Sequence, residues 1–223
     1  MNKYECIEYA KCVMKASFDV DLAVEFVDAE NFQQRKTKLV EQYDRNVDNV
    51  LSLFMPAKEN LPPIILVQYN NIDWSYIDYF YHELQHAFDY YEALPQLGEK
   101  GVMSPYFHYY TEYNASYAGT LHYTKKLLSV GSNKPEILAQ SKDKVKKTLS
   151  KLIEPKLQDV LHYFGMTDAF AEIEGGIDNT MLTVLPQPAH LLCDLVNYMH
   201  QYEPTLEWYN EFKRRIDVLQ RKD

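Results

Sequence analysis

Glycine is scarce, at 7 residues in a chain of 223. That scarcity disfavours a turn-rich all-β architecture and suits helices. Cysteine is scarcer still: Cys6, Cys12 and Cys193 make an odd count with no CxxC pair. This fits a reducing cytoplasm and excludes a zinc–thiolate site. Long apolar runs are missing. No stretch approaches the ~20 apolar residues of a membrane span, and the opening MNKYECIEYAKCVMKASF has no apolar core of signal-peptide length. Positive charge is in deficit, with a formal net charge of −9, which argues against nucleic acid or an anionic membrane as the main partner. The local basic run Lys142 to Lys156 carries Val145, Leu149, Leu152 and Ile153 at helical spacing, so it reads as a solvated helix face. The expectation is a soluble cytoplasmic protein.

What remains is ordinary for a globule, with 46% hydrophobic and 25% charged residues. A chain of this length buries roughly 70% of its unfolded surface, enough for a core without disulfides or structural metals. Tyrosine is abundant, at 19 residues, and supplies rings that bury while keeping a hydroxyl in play.

Periodicity predicts a helix over 3–16, then a strand over 18–26, where Phe18, Val20, Leu22, Val24 and Phe26 alternate with polar or small residues. Residues 38–54 fit a helix, although the closing VLSLFM also suits a strand; the reading leans to helix. Pro62-Pro63 open IILVQY, a continuous apolar run that reads as a buried strand. Helical pattern runs from an Asp73 cap to Leu94 and stops at Pro95, followed by a loop with Gly98 and Gly101. Ser104-Pro105 start the next helix, to about Ser129. Helices are then expected over 134–164 (kinked at Pro155), 167–174, 188–201 and 205–221, with Gly175-Gly176, Pro186 and Pro188 at the joints. The class is α+β: a small mixed part over 1–130 and a helical extension over 131–223 packed on it.

Within the 73–94 helix lies His82-Glu83-Leu84-Gln85-His86, an HExxH sequence. Two histidines four apart lie about 40° apart around a helix, so both imidazoles can meet one metal. Glu83 points about 100° away, beside the ion, where it can take a proton from water. The apolar residues Ile77, Phe80, Leu84, Phe88 and Tyr91 fall between about 160° and 240° from His82, so the core stripe is opposite the histidines. A catalytic zinc site has three protein ligands and an open position. The HExxHxxGxxH pattern fails, because Asp89 stands in the glycine place and Glu92 in that of the third histidine. Glu112 on the next helix is the better third ligand, against the bland reading of a solvated charge. Ala115, Ser116 and Gly119 share its face, and such small residues let two helices approach closely.

The order of strand, HExxH helix, loop and glutamate helix resembles the gluzincin branch of the zincin metallopeptidases. Glu112-Tyr113-Asn114-Ala115-Ser116-Tyr117-Ala118 is similar to the Glu-x-x-Ala-x-x-x-Ala signature of the ImmA/IrrE-like metallopeptidases of phages and mobile elements. The resemblance covers roughly residues 18–130. It implies a zincin-like core, zinc held by His82, His86 and Glu112, Glu83 as general base, and a protein substrate, typically a regulator. No helix-turn-helix or sensor module accompanies it.

Asp89 is placed to accept the outer N–H of a ligating histidine; a fourth ligand or a solvated aspartate are the other readings, and Ser116 has similar options. Tyr109, Tyr113, Tyr123, His108, His122 and His190 are all of a type to stabilise an oxyanion, and nothing singles one out. The leading expectation is a zinc-dependent endopeptidase acting on a protein or peptide. The alternatives are an interaction protein that binds a host regulator without cleaving it, and a zinc hydrolase of non-peptide substrates. Manganese or another divalent ion would suit the same ligands.

Overall fold

The computed structural model describes residues 1–45, 50–70, 73–131, 133–149, 156–175 and 189–220. Pro155, Leu152, Ile153, Gly176, Pro186 and Pro188 lie outside the described residues, as do the side chains of Leu149 and His190. The elements run α1 (Lys3–Phe18), β1 (Ala23–Asp28), α2 (Ala29–Tyr43), β2 (Ser52–Met55), β3 (Ile64–Tyr69), α3 (Ser75–Val102), α4 (Pro105–Val130), α5 (Lys134–Leu149), α6 (Leu157–Glu174), α7 (Ala189–Met199) and α8 (Leu206–Gln220). The protein is α+β and mostly helical, with one three-stranded sheet.

The sheet has the order β1-β3-β2, with β1 parallel and β2 antiparallel to β3. Its central strand is buried on both faces, which explains the unbroken apolar run Ile64–Val67. Ile65 and Val67 join Val24 against α1 and α3, where Cys6, Ala10, Met14, Ile77, Phe80 and Leu84 are buried. On the other face Ile64 and Leu66 join Leu53 and Met55 against Phe32, Leu39 and Tyr43 of α2.

Three expected boundaries move, each for a local reason. The strand expected over 18–26 begins only at Ala23. Helix α1 continues through Phe18 and ends at Asp19, whose left-handed backbone (φ 56°) donates its N–H to the Lys15 carbonyl while the Val20 N–H donates to that of Met14. The helix expected over 38–54 is shifted. Asp28 caps α2 by accepting the Asn31 N–H, the helix stops at a left-handed Asp44, and 52–55 is the edge strand that the helical reading set aside. Its pairing with β3 decides the conformation, and a period count cannot see a partner. Helix α3 does not stop at Pro95; the chain turns at Gly98 (φ 65°, ψ 171°) and resumes helical hydrogen bonding to Val102.

The other departure concerns Gly165, read as part of a gap between 164 and 167. It lies inside a continuous α6. A Cβ there would run into the Tyr113 carbonyl oxygen and come within 3.0 Å of the Tyr117 nitrogen and 3.2 Å of Ser116 Cβ. The glycine is present because α6 lies directly on α4. Helix α4 thus packs against both α3 and α6. Below this layer one apolar cluster joins Tyr90 and Ala93 of α3, Phe107 and Tyr110 of α4 and Leu161 and Phe164 of α6 to α7 and α8. Trp208 is its hub, with ring centroids 5.1 Å from Tyr110, 5.5 Å from Tyr198 and 5.0 Å from Phe212. Among the described residues, no helix is long and apolar enough to cross a membrane.

Replacing glycine by alanine within an exposed helix stabilises it by about 1 kcal/mol. At Gly165 the sign reverses. The variant Gly165→Ala is expected to lose about 1–3 kcal/mol through overpacking against α4, read as a lower urea midpoint with unchanged slope. A midpoint at or above that of the parent chain would mean that α6 does not lie this close to α4.

Candidate metal centre

Helix α3 turns Ile77, Phe80 and Leu84 toward the sheet and the opposite side, bearing His82 and His86, toward α4. The approach of the two helices depends on the small strip of α4. Ala115 and Ser116 are buried, and a Cβ on Gly119 would lie 2.8 Å from the Asp78 carbonyl oxygen and 3.4 Å from His82 Cβ. With that clearance Glu112 reaches the histidines. His82 Nε2 and His86 Nε2 are 3.1 Å apart, and they lie 3.7 Å and 3.8 Å from Glu112 Oε1 and Oε2. Zinc with ligand bonds of 2.0–2.2 Å and tetrahedral angles would set its donors about 3.3–3.6 Å apart. His82, His86 and Glu112 therefore form a group that could hold one metal ion, and the spacing suits a small tetrahedral one.

Each donor is prepared by its surroundings. Burial lowers the imidazoles, His82 to about 4 and His86 to about 3, so both are neutral at physiological pH with a lone pair to offer. Burial opposes ionisation of Glu112. The hydrogen bond from His162 and the fields of His82 and His86 override it and hold the carboxylate well below its usual range. The tautomer of His86 follows from a chain of hydrogen bonds. Thr111 Oγ1 donates to Asp89 Oδ2 at 2.8 Å, so its oxygen accepts from His86 Nδ1 at 2.9 Å, which leaves Nε2 unprotonated toward the centre. The backbone carbonyl of Ala115 takes a hydrogen bond from the His82 ring.

Asp89 thus serves a histidine through Thr111 and not by direct contact. It is 1% exposed and accepts two further hydrogen bonds, from Gln85 at 2.7 Å and Asn114 at 3.2 Å. Burial still raises its carboxyl to about 7. Ser116 donates to the Glu112 carbonyl at 2.7 Å, and its oxygen lies 2.5 Å from His162 Nδ1. Glu83 is buried and held by Ser52 of β2, whose hydroxyl donates to Oε1 at 2.7 Å. Burial pushes this carboxyl up to about 8, with the nearby Glu112 charge adding to the effect and the hydrogen bonds from Ser52 and the Phe54 backbone opposing it.

The expected oxyanion donors separate clearly. His108 stands at the edge of the centre, 3.9 Å from Glu112 Oε2. Tyr113 is committed elsewhere, donating to Asp168 Oδ2 at 2.5 Å with His200 Nε2 at 2.6 Å. Tyr109 accepts from Gln220, and His122 stacks on Tyr81 at 3.6 Å. Tyr123 lines a separate cavity between α4, α5 and α6.

Sequence reasoning missed His162, whose Nδ1 lies 2.9 Å from Glu112 Oε1. It sits on α6, in no motif with the ligand residues, and the packing of α6 on α4, close at Gly165, brings it there. Ser52 was equally hidden, in a segment read as helix. Together Ser52, Glu83, His82, Glu112, Ser116 and His162 line a cleft of about 270 Å³.

No protein-family model, curated protein or solved structure matches the chain.

Two outcomes are expected. Elemental analysis of the protein supplied with zinc should find close to one ion per chain, lost in His86→Ala and Glu112→Ala; no stoichiometric ion in the parent would refute the centre. Thr111→Val should weaken zinc binding about 10–100-fold, the usual effect of removing a partner of a ligating histidine, with Thr111→Ser restoring it. A chelator competition titration in which Thr111→Val equals the parent would show that the Asp89–Thr111–His86 chain does not orient the ligand.

Proposed function

We propose that this protein is a zinc metalloendopeptidase of the gluzincin type, acting on a protein substrate. The observation that carries the reading is the placing of Glu83: one residue after the first histidine, it opens onto the same cleft as His82 and Glu112, two of the three groups that lie at metal-ligand spacing. The resemblance of Glu112–Ala118 to the ImmA/IrrE-like signature supports it and points to a regulator, in a phage or mobile-element setting, as the substrate.

Bound at His82, His86 and Glu112, zinc supplies a Lewis acid that polarises a carbonyl and acidifies water. The rest falls to the chain. Glu83, anchored at Oε1 by Ser52, takes the proton of the attacking water and returns it to the leaving amine. Its upward-shifted carboxyl suits both roles, because a group titrating near neutrality gives up a proton as readily as it takes one. His108 and His162 are the imidazoles beside Glu112, with His162 Nδ1 donating to Oε1 and His108 Nε2 accepting from the Gln158 amide. Strand β2 lies at the edge of the sheet with Ser52 lining the cleft. An extended peptide adding to that edge would pass directly over Glu83.

The test is Glu83→Gln in the zinc-loaded chain, with denatured casein as the probe. Cleavage should fall by at least about 10²-fold while zinc stoichiometry stays at the parental value. Equal cleavage by the variant would remove Glu83 from the chemistry. A zinc-loaded parent that cleaves neither casein nor a mixed peptide library would favour the alternative, a scaffold that binds a regulator without cutting it.

A further inference from the structure

His162 belongs to α6, whereas the three ligand residues belong to α3 and α4. It stands three residues before Gly165, on the side of α6 that lies against Ser116 of α4. The role of its Nδ1 follows from two neighbours. Ser116 has spent its one hydroxyl hydrogen on the Glu112 backbone carbonyl, at 2.7 Å. Its oxygen can therefore only accept from His162 Nδ1, 2.5 Å away. The ionised Glu112 carboxylate also only accepts, and its Oε1 lies 2.9 Å from the same nitrogen. Nδ1 thus carries a hydrogen and shares it between the serine oxygen and Oε1.

The two oxygens of Glu112 are made unequal by this contact. Oε1 is engaged by His162, while the imidazoles beside Oε2, those of His86 and His108, stand off at 3.8 Å and 3.9 Å, beyond hydrogen-bond distance. A carboxylate can ligate an ion through one oxygen or through both. A donor fixed on one oxygen turns the other toward the ion. The distinction matters here, because a catalytic site is marked by three protein ligands and an open position. A second Glu112 oxygen would fill that position.

We propose that His162 is a positioning residue that holds Glu112 to ligation through Oε2 alone, so that the His82–His86–Glu112 centre keeps a coordination position open. The proposal rests on the metal centre that underlies the metallopeptidase reading and holds whatever substrate the chain takes. It makes α6 part of the centre, although this helix lies beyond the stretch that carries the gluzincin resemblance. The hydrogen that His162 gives to Glu112 is the whole of the effect. Another side chain with an N–H at the same place should serve equally.

Cobalt(II) is the probe, because its visible bands are strong in four-coordinate sites and weaken when further ligands are added. Cobalt(II) chloride is titrated to saturation into the metal-free full chain and its His162 variants. Asparagine places its amide nitrogen where imidazole has Nδ1, and glutamine places it where imidazole has Nε2. His162→Asn should therefore keep the strong bands of the parent. His162→Gln and His162→Leu should lower the absorptivity of the bound cobalt severalfold, as the second Glu112 oxygen joins the ion. If leucine at this position prevents binding altogether, the comparison of asparagine with glutamine decides. Parental bands in the glutamine or leucine variant overturn the proposal, as do weak bands in the asparagine variant. Weak bands in the parent itself would mean that Glu112 already binds through both oxygens, which overturns the proposal and leaves the metal centre standing. A parent chain that binds no cobalt overturns the centre and the role of His162 together.

Discussion

The close seating of α4 between α3 and α6 is the constraint on which the rest depends. Two glycines permit it. Gly119 removes the Cβ that would strike Asp78 one turn before His82, and Gly165 removes the one that would strike Tyr113 next to Glu112. Helix axes come near the lower end of ordinary spacing only when the contact residues are small. Were α4 displaced outward by a single methyl group, Glu112 would leave both its histidines and His162. The apolar layer of α6, α7 and α8 around Trp208 presses the three helices together from below.

Such seating places many titratable groups away from water, and each is matched to a partner. Asp89 has Thr111, Gln85 and Asn114; Glu83 has Ser52; Glu112 has His162. A buried polar network is stabilising only when its members are satisfied. The arrangement keeps the imidazoles neutral and Glu112 ionised, the protonation states that metal ligands require. The polar face of α3, which in a surface helix would need no partners, has become the most closely specified part of the molecule.

The parts of this design legible in the sequence are those carried by local rules. The HExxH spacing, the Ser104-Pro105 helix start and the buried run Ile64–Val67 each declare themselves within a few residues. The small strip Ala115, Ser116 and Gly119 pointed to a close helix contact, and Glu112 does meet His82 and His86 across it. What escaped depends on distant partners. Strand β2 exists because β3 lies beside it, and the alternation that runs back to Phe18 is cut by a left-handed Asp19 with no sequence signal beyond the aspartate itself. Gly165 fell in the gap between two expected helices, and its neighbour across the interface explains its presence. His162 and Ser52 approach the centre by tertiary packing alone.

The turn between α3 and α4 consists of Met103 and Ser104. His82, His86 and Glu112 therefore belong to one helical hairpin. Helical hairpins are dominated by local contacts, and such contacts are the fastest to form. An ion captured at this stage would bridge the two arms and oppose their separation while the chain is still acquiring its long-range pairings. His162, arriving with α6, would then lock an assembled centre. In this view the short turn would make a bound ion a participant in the order of folding, with the same three side chains serving first as a clasp and later as the finished donor set.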